Sequence, residues 1–244
     1  MGRIRHIVVA ALTALALMPG HSAQAAEETA AGAVLAYDFG DAPGGRAEGP
    51  WSKGCFLDEI REVPACVVAR GASITRVDGE GPAIAFPSPG AGTAVLKIAA
   101  SERFNPGARD FAIEVLVRLD PGERTHGENV IQKGHYDGGQ GQWKMQVDEG
   151  LPSCRIAGSR AGAHVAAIAL GGSIEGMGWV RVRCERSGNL LTLTVGDLPP
   201  VYAPGDASML IANDDELTIG GRLPGAPDND QFHGDVDGVR LELR

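Results

Sequence analysis

Residues 111–119 read Phe-Ala-Ile-Glu-Val-Leu-Val-Arg-Leu, with a large apolar side chain at every odd position and Glu114 and Arg118 among the even ones. A period of two sends alternate side chains to opposite faces of an extended chain, so this segment reads as a half-buried strand. The same rhythm returns at 179–186, where Val180, Val182 and Cys184 fall on one face and Arg181 and Arg183 on the other. Residues 190–195 follow across Ser187-Gly188-Asn189 with Leu191, Leu193 and Val195 in phase, which is the pattern of a hairpin.

Further strands are expected at 34–39, 73–77, 83–86, 95–98, 129–133, 142–147, 153–157, 164–170, 216–220 and 236–243. No amphipathic helix separates them, and a succession of short strands predicts an all-β sandwich or barrel. Glycine supplies the turns: 35 of the 244 residues are Gly, without the Gly-X-Y period of a collagen. The longer loops, where binding groups tend to sit, are expected at 41–50, 123–128, 137–141 and 198–208.

The first 25 residues are expected to be a secretory signal peptide. Arg3 and Arg5 precede an apolar run at 7–18, and Pro19-Gly20 breaks it before the small-residue site Ala23-Gln24-Ala25. Twelve residues of helix span about 18 Å against a hydrocarbon core of roughly 30 Å, too little for a membrane anchor. Residues 26–244 are expected to form one exported, monomeric domain without membrane insertion. It would be secreted, or periplasmic in a Gram-negative host. Loss of the two leader arginines takes the formal net charge from −9 to −11. So acidic a chain is a poor nucleic-acid binder.

Cys55, Cys66, Cys154 and Cys184 all follow the leader, and an even number of cysteines in an oxidising compartment points to disulfides. Three pairings are possible; Cys55 with Cys66 and Cys154 with Cys184 are favoured, the second as a tie between two strands on one face. A zinc site is disfavoured, because no CxxC occurs and His126, His135, His164 and His233 lack ligand-pair spacing.

Read in order, FAIEVLVRL, NVIQKG, QWKMQVD, SCRIAG, WVRVRCER, LLTLTVGD, ELTIGG and FHGDVDGVRLEL resemble the laminin G-like branch of the concanavalin A-like lectin and glucanase superfamily, over residues 33–244. The resemblance implies a two-sheet antiparallel jelly-roll sandwich. It also implies a paired-strand disulfide at Cys154 and Cys184, and a core position for Trp179. Members of the superfamily include lectins, adhesion modules and glycan-cleaving enzymes, so the residues must decide between them.

A retaining glucanase needs two facing carboxylates about 5 to 5.5 Å apart. The chain lacks the superfamily's Glu-x-Asp-x-x-Glu pattern, and Asp148 and Glu149, being adjacent, point to opposite faces. No Gly-x-Ser-x-Gly, His-Glu-x-x-His or phosphate loop is present. A divergent glycoside hydrolase, or a polysaccharide lyase using His135 or Tyr136 as its base, is the enzymatic alternative, but the expectation is a noncatalytic module.

Asp235 and Asp237 share parity with Val239, Leu241 and Leu243, which aims them toward the core side, where a carboxylate needs a partner. One such partner is a structural calcium, which the resemblance places between Asp237, the stretch 38–40 that begins at Asp38, and the turn 78–81. The alternative is a carboxylate that caps backbone N–H groups or pairs with an arginine such as Arg76. A second calcium or a ligand would, by the same resemblance, sit at the sandwich rim near His135, Tyr136, Asp137 and Gly138 and near Asn213, Asp214 and Asp215. Sugar recognition favours a ring with polar groups at its edge, and Tyr136, Trp143, Tyr202 and Trp51 are the available rings. Tyr136, Asp137, Trp143, Asn213 and Asp214 are therefore the expected ligand contacts. The partner is expected to be a glycan or an extracellular protein, with a purely structural or adhesive role as the alternative.

Overall fold

The computed structural model describes residues 32–40, 43, 49–60, 63–135, 141–225 and 229–244. The expected leader, Tyr136 and Asp137 lie outside the described residues. In chain order the strands are β1 (Ala33–Tyr37), β2 (Cys55–Leu57), β3 (Pro64–Arg70), β4 (Thr75–Asp78), β5 (Pro82–Ala85), β6 (Thr93–Ile98), β7 (Phe111–Arg118) and β8 (Glu128–Lys133). They continue with β9 (Gln142–Asp148), β10 (Leu151–Arg160), β11 (Ala163–Leu170), β12 (Val180–Ser187), β13 (Leu190–Val195), β14 (Val201–Tyr202), β15 (Leu217–Ile219) and β16 (Asp235–Leu243). A 3₁₀ turn at Glu102–Phe104 opens on Ser101, whose hydroxyl accepts from the Arg103 N–H.

These strands form an all-β sandwich, as the alternation predicted, and it is the two-sheet antiparallel jelly roll that the resemblance implied. The first sheet runs β14-β13-β12-β7-β16-β5-β4, and β1 also pairs with β16; the second runs β11-β10-β9-β8-β15-β6-β3-β2. Phe111, Ile113, Val115 and Val117 of β7 are fully buried, as are Val182 and Cys184 of β12 and Leu191 and Leu193 of β13. They meet Leu96, Ile98, Ile131, Trp143, Met145, Ile156, Leu217 and Ile219 of the opposite sheet. The large apolar residues of each strand thus face the partner sheet, and burial of that area from water is what stabilises the stack.

Both favoured disulfides form. Cys55 and Cys66 are direct register partners on β2 and β3, with Cα atoms 3.9 Å apart. Cys154 and Cys184 have Cα atoms 5.5 Å apart, but they join β10 to β12 and so tie one sheet to the other through the core. The expected tie on one face is corrected accordingly. Both cysteines occupy inward positions, and the in-sheet partners of Cys184 are Ile113 and Leu193.

The parity expected for Asp235 and Asp237 is also corrected. The register of β16 against β7 shifts between Asp237 and Val239, where Gly238 adopts φ +71°. A bulge of this kind inserts one residue and reverses the faces on either side of it. Val239 and Leu241 therefore point inward while Asp235 and Asp237 point outward, opposite Arg118 and Leu116. Trp179 is another departure: it lies half-buried under the Arg118 guanidinium, 5.0 Å from the ring centre.

Strand β8 carries an inward charged residue at each end. Lys133 is paired with Trp143 and Leu217, both core residues, and Glu128 with Val147. Both charged residues are fully buried, one at each mouth of the sandwich.

Candidate functional site

At the rim beyond Lys133, the structure brings Trp143, Asn213 and Asp214 near one another but gives them different tasks. The Lys133 ammonium donates to Asn213 O at 2.9 Å, Asn213 Oδ1 at 2.7 Å and Asp215 O at 2.9 Å. Three acceptors use all three of its protons. Burial lowers the Lys133 pKa, while Asp215, Asp214 and Glu216 oppose that shift. The Asn213 amide donates to Gly141 O at 2.7 Å, and its backbone N–H and carbonyl engage Asn105. Trp143 donates its indole N–H to Phe104 O at 3.0 Å.

Trp143, expected as a ligand ring, is 0% exposed, so it offers no face to a sugar and packs the core instead. Asn213 has its side chain consumed by the brace. Asp214 is exposed and lines a rim recess of about 480 Å³ with Glu102, Asn105, Ala212 and Asn213. Of the other expected rings, Trp51 is buried in an edge-on contact with Phe56, and Tyr202 is 56% exposed.

Asp38 and Asp237 do come together, on the outer face of the first sheet. They line one recess of about 230 Å³ with Glu59, Glu80, Glu114, Arg181 and Arg240. Asp38 Oδ1 accepts the Gly40 N–H at 2.8 Å, and Asp237 Oδ2 accepts the Gly81 N–H at 2.9 Å. Burial raises the Glu59 pKa, helped by repulsion from Asp38 and a hydrogen bond with it. Among the described residues no three acidic, histidine or cysteine side chains gather closely enough to hold a metal ion. Each of the two aspartates caps a backbone N–H group.

The outer face of the second sheet is different in kind. Strand register sets Ile168, Arg155, Lys144, Gln132, Thr218 and Lys97 side by side across β11, β10, β9, β8, β15 and β6. The row is polar from Arg155 to Lys97, and much of it is sunk below the surface: Thr218 is 3% and Gln132 4% exposed. A recess of about 160 Å³ opens over it, lined by Gln132, His135, Glu216, Thr218, Arg222, Leu223 and Pro224. Thr218 Oγ1, Arg222 Nε, Gln142 Oε1 and Gln146 Oε1 are buried and have no hydrogen-bond partner among the described residues.

A buried polar atom left unpaired costs about 1–3 kcal/mol, so native proteins rarely keep several in one place. Here four lie on one face. The neighbouring atoms are better served: Asn129 Nδ2 donates to Gln132 Oε1 at 2.8 Å and to Asp230 Oδ2 at 2.9 Å, and Lys144 donates to Asn129 Oδ1 at 3.1 Å. The result is a polar furrow in which Asn129, Gln132 and Lys144 are tied together, while the four atoms named above have no partner among the described residues.

No family model matches the chain, and no curated protein matches its sequence. Solved structures do. Domain 4 of AbnA, an extracellular GH43 arabinanase from Geobacillus stearothermophilus, solved in complex with arabinotriose, is similar with a TM-score of 0.50 and 11% identity over 87% of this chain and 92% of that one. The binding domain of botulinum neurotoxin serotype G gives 0.54 and 11% over 87% of this chain and 48% of its own. The serotype D binding domain gives 0.53 and 10% over 87% and 48%. The chain thus spans about half the length of the neurotoxin binding domains. At such identities the likeness is one of fold, the β-sandwich described above.

The furrow residues were not singled out in the sequence, though a signal existed. Lys144 and Arg155 alternate with Trp143, Met145, Cys154 and Ile156, so the same period that identified the core also placed them on the outer face. Arg222 lies in a loop, where no period applies.

Proposed function

We propose that this protein is an exported, noncatalytic recognition module of the laminin G-like type, and that it binds a glycan along the polar furrow of the second sheet. One observation carries the reading: four buried polar atoms on a single face, all without partners among the described residues. Sugar hydroxyls both donate and accept, so a glycan laid along the face would satisfy the Thr218 hydroxyl, the glutamine carbonyls and the Arg222 N–H together. The recess of about 160 Å³ is smaller than the roughly 300–1,000 Å³ of a pocket that encloses a whole small ligand. It suits one residue of a longer chain whose neighbours rest on the surrounding face.

The similar arabinanase domain was solved with arabinotriose, which supports a glycan as the partner. Two disulfides suit an oxidising compartment, and among the described residues no helix is long and apolar enough to cross a membrane.

The reading is tested on a printed array of neutral and acidic glycans, followed by titration of the best binder. Thr218→Val keeps the side-chain shape and removes the hydroxyl, and should weaken binding about tenfold with the melting temperature retained. Undiminished affinity would move the site off the furrow. An array with no bound glycan would overturn the glycan reading.

A further inference from the structure

The recess over Thr218 carries three kinds of surface within one small volume. Thr218 sits between Gln132 and Lys97 in the sheet, is 3% exposed, and its hydroxyl has no hydrogen-bond partner among the described residues. Arg222 brings a buried Nε–H, likewise without a partner there. Leu223 and Pro224, both half-buried, complete the wall with apolar surface, and Pro224 has no N–H to offer.

This wall is held in place by the fold itself. The Gly220 N–H donates to Val130 O at 2.9 Å and the Arg222 N–H to Asn229 O at 2.6 Å, while Asn229 Nδ2 donates back to Arg222 O at 2.9 Å. The loop that follows β15 is thus pinned to β8 on one side and to Asn229 on the other, which leaves little ordering to be done on binding.

We infer that this recess is the seat of an acetamido group, so that the furrow selects glycans built from N-acetylated sugars. The inference rests on the glycan reading above and narrows it to a class of ligand. The Arg222 Nε–H can only donate, which suits the acetamido carbonyl, and the Thr218 hydroxyl has lone pairs to accept the acetamido N–H. What remains of the group is a methyl, and Leu223 and Pro224 would remove it from water. A sugar hydroxyl in the same place is a single polar atom that would leave this apolar wall uncovered. An anionic substituent is disfavoured by Glu216, whose carboxylate lines the same recess.

Two pairs of neutral ligands, titrated by calorimetry, isolate the group and separate its sources. N-acetylchitotetraose against cellotetraose tests it on glucose-type rings, and the blood-group A trisaccharide against the B trisaccharide tests it on galactose-type rings. Within each pair acetamido replaces hydroxyl and the linkages are the same. At least one acetamido member should bind about tenfold tighter than its counterpart, and the pair in which it does so identifies the sugar. Arg222→Lys keeps the charge and removes the Nε–H, and Leu223→Ser removes apolar contact; each should reduce the preference to about threefold or less.

Three results would overturn the inference and leave the glycan reading intact: equal or weaker binding of the acetamido member in both pairs, a preference that survives both substitutions, or failure of both pairs to bind a protein that does bind another glycan on the array. If no glycan binds at all, both readings fall. The paired ligands are compared on the unaltered protein, so that result stands even if a variant fails to fold.

Discussion

Glu128 is fully buried at one mouth of the sandwich, and burial pushes its pKa from 4.5 up to about 7. It accepts the Thr125 N–H on Oε1 and the His233 N–H at 3.4 Å on Oε2; both bonds favour the charged form but do not offset the desolvation. A carboxyl whose folded pKa is raised holds its proton more tightly when folded than when unfolded. Its contribution is therefore most favourable below pH 4.5, is lost as pH rises from 4.5 to 7, and is constant above that. At about 1.36 kcal/mol per unit the span corresponds to about 3 kcal/mol, reduced to about 2 kcal/mol by solvent screening at the strand end.

Glu128→Gln isolates this group from the other titrating residues, because the amide is neutral like the protonated acid and keeps one carbonyl acceptor, with its NH2 in place of the acid's O–H. Urea unfolding followed by tryptophan fluorescence at pH 5 and pH 8 measures the effect. Near pH 5 the variant should match the wild type to within about 1 kcal/mol, and at pH 8 it should be more stable by about 2 kcal/mol. Identical pH slopes for the two proteins would refute the claim that this carboxyl is held protonated by burial.

Replacing Cys154 and Cys184 together by alanine removes the tie between sheets; a separation of 30 residues corresponds to about 3.6 kcal/mol of loop entropy, read as a lower urea midpoint, and an unchanged midpoint would show that the core alone fixes the sheets. Arg186 is 1% exposed and donates to the carbonyls of Met209, Gly107 and Arg109, so Arg186→Ala should cost about 3 kcal/mol by leaving the Met209 and Arg109 carbonyls unpaired and Gly107 O with the Ile211 N–H alone, with denaturant melts as the check. Because Asp38 and Asp237 are engaged by the Gly40 and Gly81 N–H groups, calcium and a chelator should give the same melting midpoint; a rise with calcium would restore them as ligands.

The sandwich was legible wherever a strand has one dry face and one wet one. Residues 111–119, 180–186 and 190–195 alternate because the core and the solvent impose opposite chemistry on successive side chains. β2, β3 and β14 escaped for physical reasons. β2 and β14 are two or three residues long, too short to display a period, and β14 falls within the loop expected at 198–208. β3 reads Pro-Ala-Cys-Val-Val-Ala-Arg, opening on a proline and running apolar on both faces.

Two further errors share a cause, in that alternation assigns a face but not a partner. Cys184 falls on the apolar face of its strand, as expected, yet nothing in that strand says that the bond crosses between sheets. Asp235 and Asp237 were assigned to the wrong face because a single glycine, Gly238, inserts one residue into the count. At the rim, Asn213 and Trp143 lie in the expected region, but Lys133 occupies the oxygens of residues 213–215 from inside, and its inward direction becomes clear only once β8 is registered against β9.

The two outer faces differ in what they offer a ligand. On the first, Arg183, Glu114 and Arg240 are register partners in succession across β12, β7 and β16, so opposite charges meet directly. Arg183 reaches Glu114 at 3.2 Å and Glu242 at 3.1 Å, while Arg244 reaches Glu185 and Glu242, each at 2.7 Å. Each such pair contributes little to stability, about 0–1 kcal/mol, but a ligand arriving there must displace bonds already made. On the second sheet the register sets Arg155 beside Lys144, and hydroxyl and amide atoms are buried without partners among the described residues. Much of the desolvation penalty has then already been borne in folding, so a ligand that supplies the missing bonds gains most of their strength.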